Sequence, residues 1–182
     1  MAPSDLEILF DEAAIAARVE ALAGALRDFA DAHCTLAVLL QGAMPFAVDL
    51  LRALARQGAH PLLDCLWLES YGDERRSSGR VSVRADLSRS VEGRKVLLVD
   101  EVFDSGATLA FARAHILAKG AGEVAACVMV RKPWAPAHGE PEGAAAAIEF
   151  VGFEAPDRYL VGYGMDDAGR LRGLPFIAAL NL

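Results

Sequence analysis

Three carboxylates crowd one short stretch of the chain, "KVLLVDEVFDSGAT", residues 95–108. Asp100 and Glu101 close a run of branched apolar residues, and Asp104 follows two apolar residues later. Ser105, Gly106, Ala107 and Thr108 come next. The apolar run reads as a buried strand and residues 106 to 119 as a helix, so acids and hydroxyls are delivered into a strand-to-helix turn. The first N–H groups of a helix have no partner within it and carry the positive end of its dipole, which makes a cradle for phosphate. It is not a P-loop, because the Gly-x-x-x-x-Gly-Lys pattern is absent. Carboxylates repel phosphate, but they accept hydrogen bonds from a vicinal diol. The combination therefore fits a phosphorylated sugar whose hydroxyls lie over Asp100 and Glu101. The plainer alternative is that the acids cap the helix, although a cap needs one acid and not three.

The elements that hold this turn are legible along the chain. Ile15, Val19, Leu22, Leu26 and Phe29 step by four and three, one face of a helix over 11–31. A second helix over 45–58 opens with Pro45 and closes with Gly58. Strands are expected at 35–40, 61–70, 81–87, 95–99, 124–130, 148–153 and 159–164, and loops at 71–80 and 134–146. Helices alternate with strands that are mostly continuous apolar runs. This predicts an α/β fold with a mostly parallel sheet flanked by helices, with ligands beyond the carboxyl ends of its strands.

At 182 residues the chain is long enough for one domain, 1–182, and its 54% apolar content places it among globular proteins. The net charge of −7 argues against a nucleic-acid partner, which a basic face would serve. No apolar run is long enough to span a bilayer, and the acidic N-terminus does not read as a signal peptide. Cys34, Cys65 and Cys127 are scattered singly in apolar stretches and read as buried, reduced thiols of a cytoplasmic protein.

The stretch "VLLVDEVFDSGAT" resembles the phosphoribosyl pyrophosphate motif of type I phosphoribosyltransferases: apolar residues, two acids, two apolar residues, then Asp-Ser/Thr-Gly-x-Thr. "VLLQGAMPFAVDLL" (38–51) is similar to the pyrophosphate-binding strand-loop-helix of the hypoxanthine-guanine phosphoribosyltransferases, and "ESYGDERRSSGRVSV" (69–83) to their mobile catalytic loop. "VRKP" (130–133) and residues 151–180 resemble their purine-binding segment and tail.

The resemblance implies a type I phosphoribosyltransferase fold with a small hood built from the chain ends. It implies purine salvage: hypoxanthine, and guanine, plus phosphoribosyl pyrophosphate giving the nucleoside 5′-monophosphate and pyrophosphate, with Mg2+. By the same resemblance Asp104 is the catalytic acid–base group. Asp100 and Glu101 hold the ribose hydroxyls, and Ser105, Gly106, Ala107 and Thr108 the 5′-phosphate. Gln41, Gly42, Ser70, Tyr71 and Arg172 complete the phosphoribosyl pyrophosphate site. Lys132, Tyr159 and Leu160 bind the 6-oxopurine, and Asp166 binds magnesium with Asp100 and Glu101. Two positions depart from the pattern: Gln41 and Ala107 stand where many relatives have Lys. In relatives that loop holds a non-proline cis peptide; if it is kept in this chain, it lies between Leu40 and Gln41. The resemblance also implies a homodimer or homotetramer. A regulator on the same fold that binds nucleotides or RNA without turnover, or an enzyme preferring xanthine, are the alternatives.

Overall fold

Continuous apolar runs build the central strands of the computed structural model, which describes residues 6–71, 80–133 and 147–181. The expected loop at 134–146 and residues 72–79 of the expected catalytic loop lie outside the described residues. Strands β2 (Cys34–Leu40), β5 (Lys95–Phe103) and β6 (Glu123–Arg131) lie side by side and parallel. β3 (Leu62–Tyr71) and β7 (Phe150–Glu154) extend the parallel sheet on either side, and β4 (Arg80–Ala85) adds an antiparallel edge. The order is β4-β3-β2-β5-β6-β7. A strand buried on both faces needs apolar side chains at every position, which is why β2 and β6 read as unbroken apolar runs and do not alternate.

The two faces take different helices. On one, Leu36 and Val38 of β2 meet α1 (Glu12–Leu26) and α2 (Met44–Arg56). On the other, Ala37 and Leu39 meet α3 (Ala107–Ala118). The stripe on α1 buries Ile15, Val19, Leu22 and Leu26, each worth about 1.5–3 kcal/mol when fully buried. Asp11 caps that helix by accepting from the Ala14 amide at 2.8 Å. The helix ends at Leu26, short of the expected residue 31. The amides of Phe29 and Ala30 fold back onto the Leu26 carbonyl at 3.0 and 2.8 Å. Phe29 still packs on the same core, so its place in the periodicity was real but not helical.

A second, three-stranded antiparallel sheet joins the two ends of the chain as the expected hood. β1 (Leu6–Phe10), β9 (Ile177–Leu180) and β8 (Leu160–Val161) lie in the order β1-β9-β8. β1 and β9 are not among the expected strands. The strand expected over 159–164 shortens to two residues, because Gly162 and Gly164 take φ of +91° and +103° and bend the chain into a turn.

This topology makes a place for a ligand. Between β2 and β5 the chain switches sides: α2 leaves β2 on one face toward β3, and α3 leaves β5 on the other toward β6. A crevice opens where such connections diverge. The last β2–β5 pair is Val38 with Val99, and the acids begin at the next residue of β5.

Candidate active site

The crevice is a cleft of about 520 Å3. Its floor is the overhang of β5: Asp100, Glu101, Val102, Phe103 and Asp104 all line it. Asp100 is buried, and its Oδ1 accepts from the Glu101 amide at 2.9 Å. Burial first, and then the adjacent Glu101 carboxylate, push the Asp100 carboxyl well above its ordinary pKa. Glu101 lies against the loop that follows β2. A Cβ on Gly42 would stand 2.0 Å from Glu101 Oε1, so any larger residue at 42 must displace the carboxylate. The Leu40–Gln41 peptide is cis, and Leu39, Leu40, Gln41 and Gly42 line the cleft.

The turn into α3 forms one end. Gly106 is the N-cap residue, in the left-handed region at φ +71°, and no side chain caps the helix. The three acids are therefore not spent on capping. Ser105, Gly106 and Thr108 line the cleft, with Ala107 between them as the first helical residue. The N-terminus of a helix presents N–H donors and a positive dipole end to an anion.

Lys132 comes from the end of β6, its amide held by the Phe103 carbonyl at 2.9 Å. Its Nζ lies 3.4 Å from Oδ2 of Asp104. The lysine side chain is mostly buried and the aspartate half exposed. An ammonium and a carboxylate are thus side by side, the carboxylate lining the cleft. Leu160 is buried in β8, and Tyr159 just before it is partly exposed, its hydroxyl donating to the Asp166 carbonyl at 3.0 Å.

The opposite wall is the turn between β8 and β9. Arg172 Nη2 lies 2.6 Å from Asp166 Oδ1, and its Nη1 donates to the Gly164 carbonyl at 2.6 Å. Asp166 Oδ2 accepts from the Gly169 amide at 2.6 Å. Tyr163, Ala168 and Leu171, in the same turn, are the non-glycine residues with positive φ among those described. Each such residue costs roughly 1–3 kcal/mol, and strain of this kind gathers at functional sites. Asp100, Glu101 and Asp166 all line the cleft, without forming a tight group of three carboxylates among the described residues. Asp166 belongs to a separate wall, already engaged by Arg172.

Ser70 and Tyr71 end β3, opposite Val81 and Arg80 of β4; their side chains lie outside the described set. Other lining residues carry no chemical signature in the sequence. Leu68 and Leu109 are apolar walls indistinguishable from core. Tyr163 donates to Asp49 Oδ2 at 2.9 Å, joining the 162–172 turn to α2. The paired glycines of "VGYG" were the one available hint that this segment turns.

With this geometry in view, the chain was compared with known proteins. The phosphoribosyl transferase domain family matches residues 5–166. The hypoxanthine-guanine phosphoribosyltransferase of Bacillus subtilis (strain 168) is 34% identical, over 100% of this chain and 97% of that one. That of Mycobacterium avium is 36% identical over 80% of this chain and 68% of its own length. Among solved structures, a hypoxanthine phosphoribosyltransferase from Staphylococcus aureus superposes with a TM-score of 0.86 at 25% identity, covering 98% of this chain and 93% of that one. A hypoxanthine-guanine phosphoribosyltransferase from Bacillus anthracis gives 0.82 at 30% identity, covering 96% and 98%. The parallel sheet with its end-of-chain hood, the acid-bearing turn and these similarities lead to one assignment: the chain belongs to the phosphoribosyltransferase family.

Proposed function

We propose that the chain is a purine-salvage phosphoribosyltransferase, acting on hypoxanthine and guanine with phosphoribosyl pyrophosphate. The bond from the sugar's anomeric carbon to pyrophosphate breaks, a bond to the base nitrogen forms, and the base gives up a proton. The observation that carries the reading is the Asp104–Lys132 pair, 3.4 Å apart beside the N-terminus of α3. A 6-oxopurine presents an acceptor at C6 for the ammonium and a ring nitrogen for the carboxylate. Asp104 takes up the proton or stabilises the charge that develops on the sugar ring. Asp100 and Glu101 accept from the ribose hydroxyls, and residues 105–108 donate to the 5′-phosphate. Gln41, Gly42 and Arg172 face the diphosphate, with Ser70 and Tyr71 at the lip. Tyr159 covers the base, and the main chain of Leu160 meets its edge.

Mg2+ fits this donor set. Magnesium is commonly held by one or two carboxylates plus water and substrate phosphate oxygens, and Asp166, Asp100 and Glu101 reach the cleft from separate walls. When bound, the ion neutralises the diphosphate and favours its departure.

Self-association belongs to the reading. Leu63 and Cys65 of β3 pair in register with Leu36 and Val38 of β2, so they share the face that α2 covers on β2 and β5. On β3 that face is open. Leu63, Cys65 and Trp67 are exposed, as are Met44 and Val48 of α2, and Cys65 is therefore not the buried thiol expected from the sequence. A second copy related by a two-fold axis covers an apolar patch with the same patch, giving a dimer or, through further contacts, a tetramer. No described helix is long and apolar enough to cross a membrane, and we place the enzyme in the cytoplasm.

The test is purified protein with phosphoribosyl pyrophosphate, magnesium and each of five nucleobases, with nucleotide product quantified. Product from hypoxanthine and guanine is expected. A strong preference for xanthine would move the specificity, and no product from any base would leave the reading without support.

A further inference from the structure

The two walls that face the diphosphate come from distant parts of the chain. One is the Gln41–Gly42 loop leading into α2; the other is the 162–172 turn bearing Asp166 and Arg172. What joins them is specific. The Tyr163 hydroxyl donates to Asp49 Oδ2 on α2 at 2.9 Å. Next to it, a Cβ on Gly164 would stand 1.9 Å from the Gly42 carbonyl oxygen, so the turn rests directly on the loop. Tyr163 is itself buried and strained, at φ +47°, with its amide held by the Leu174 carbonyl at 2.9 Å. The hydroxyl of a buried, strained residue, donating to a carboxylate 114 positions away, fixes a distance between elements.

We propose that the Tyr163–Asp49 hydrogen bond is a positioning contact of the transfer reaction. It sets the separation of the Asp166–Arg172 wall from the Gln41–Gly42 loop, and so governs affinity for the diphosphate end of the sugar substrate and for pyrophosphate, not for the base. The base side has anchors of its own beside the bond from the Tyr159 hydroxyl to the Asp166 carbonyl. Lys132 hangs from the Phe103 carbonyl, and the Tyr159 carbonyl accepts from the Leu180 amide at 2.9 Å inside the hood sheet. This inference rests on the phosphoribosyltransferase reading above.

The experiment compares wild type with Tyr163→Phe, Asp49→Asn and the double variant. Magnesium pyrophosphate binding is measured by calorimetry, KM for phosphoribosyl pyrophosphate and for hypoxanthine by initial rates, and Tm by thermal melting. Tyr163→Phe keeps the ring and its packing and removes the donor. Loss of a hydrogen bond to a charged group is expected to weaken pyrophosphate and raise the KM for phosphoribosyl pyrophosphate about tenfold. The KM for hypoxanthine should stay within about twofold. Asp49→Asn keeps an acceptor oxygen and should stay within about threefold of wild type for pyrophosphate. The double variant should be no worse than Tyr163→Phe, because the donor is already gone. Pyrophosphate affinity unchanged in Tyr163→Phe, or both KM values rising in step with a fall in Tm, would reduce the bond to a structural contact and overturn the proposal. Wild-type protein that neither binds magnesium pyrophosphate nor turns over would instead remove the enzymatic reading, and the positioning role with it.

Discussion

Asp104 and Lys132 meet across 3.4 Å although 28 positions separate them, and each makes a distinct prediction. Asp104→Asn keeps the size and the turn but cannot take a proton. A positioned acid–base group is worth about 10²–10⁴ in rate, so kcat should fall by that order while phosphoribosyl pyrophosphate binding persists. Full kcat in the variant would exclude Asp104 from the chemistry. Lys132 is donor-only, and adenine presents a donor at C6 where hypoxanthine presents an acceptor. A site built on such a hydrogen bond rejects the mismatched base by roughly 10⁴–10⁵. Lys132→Gln should narrow that ratio of kcat/KM values, because an amide can turn its oxygen toward an amino group. Wild type using adenine within about tenfold of hypoxanthine would contradict the assignment. At this scale the acids were legible because they cluster along the chain beside a glycine turn. Tyr163 and Asp49 were not: alone, each reads as an ordinary core tyrosine and surface aspartate, and only folding brings them to 2.9 Å.

Among the elements, the β3–β4 hairpin depends on a carboxylate with no catalytic signature. Asp64 is buried at the start of β3 and gathers the turn before β5: it accepts from the Ser88 amide at 2.9 Å, the Ser88 hydroxyl at 3.0 Å and the Arg89 amide at 3.0 Å. Burial opposes its charge, but the hydrogen bonds from Ser88, Cys65 and Arg89 outweigh it and hold its pKa below the ordinary value. The carboxylate thus stabilises the fold above the unfolded-state pKa, about 3.9, and that contribution is lost as pH falls through the lower folded value. Asp64→Asn should cost about 1–3 kcal/mol at neutral pH. In urea titrations the gap from wild type should close as pH falls below about 4; a gap unchanged at pH 3 would show that the charge is irrelevant. The central strands and three helices were legible because burial on both faces and helical periodicity leave strong patterns. β1 and β9 were not. β1 is a short segment within an acidic terminus, β9 lies in an apolar tail, and each becomes a strand by pairing with the other, as in Leu6 with Leu180.

For the whole molecule, the open face of β3 and α2 predicts assembly. Val48→Lys places a charge at the centre of the apolar patch and should shift sedimentation from dimer or tetramer toward monomer, with little change in Tm of the isolated subunit. Cys65 reports on the same face, since Cys34 and Cys127 are buried and burial raises the Cys34 thiol pKa to about 12. Alkylation of Cys65 should be slow in the assembled wild type and fast in Val48→Lys. Equal rates and a monomeric wild type would show that the face is bare in solution. The overall α/β plan was readable from alternating elements, but this face was not. Whether Cys65 is buried depends on how far α2 reaches across the sheet, which no local pattern encodes.

The pairing of β1 with β9 has a consequence in time. β1 leaves the ribosome long before its neighbour in the hood sheet, β9, because the whole central sheet lies between them in sequence. At ~5–20 residues per second, β1 waits on the order of ten seconds or more for its partner to be translated. The turn carrying Asp166 and Arg172 is strung between β8 and β9, so its far end is not held until then. A nascent chain therefore makes the strand-end acids of β5 and the turn into α3 before the wall that bears Asp166 and Arg172. Competence for catalysis waits for β9 to be translated and paired.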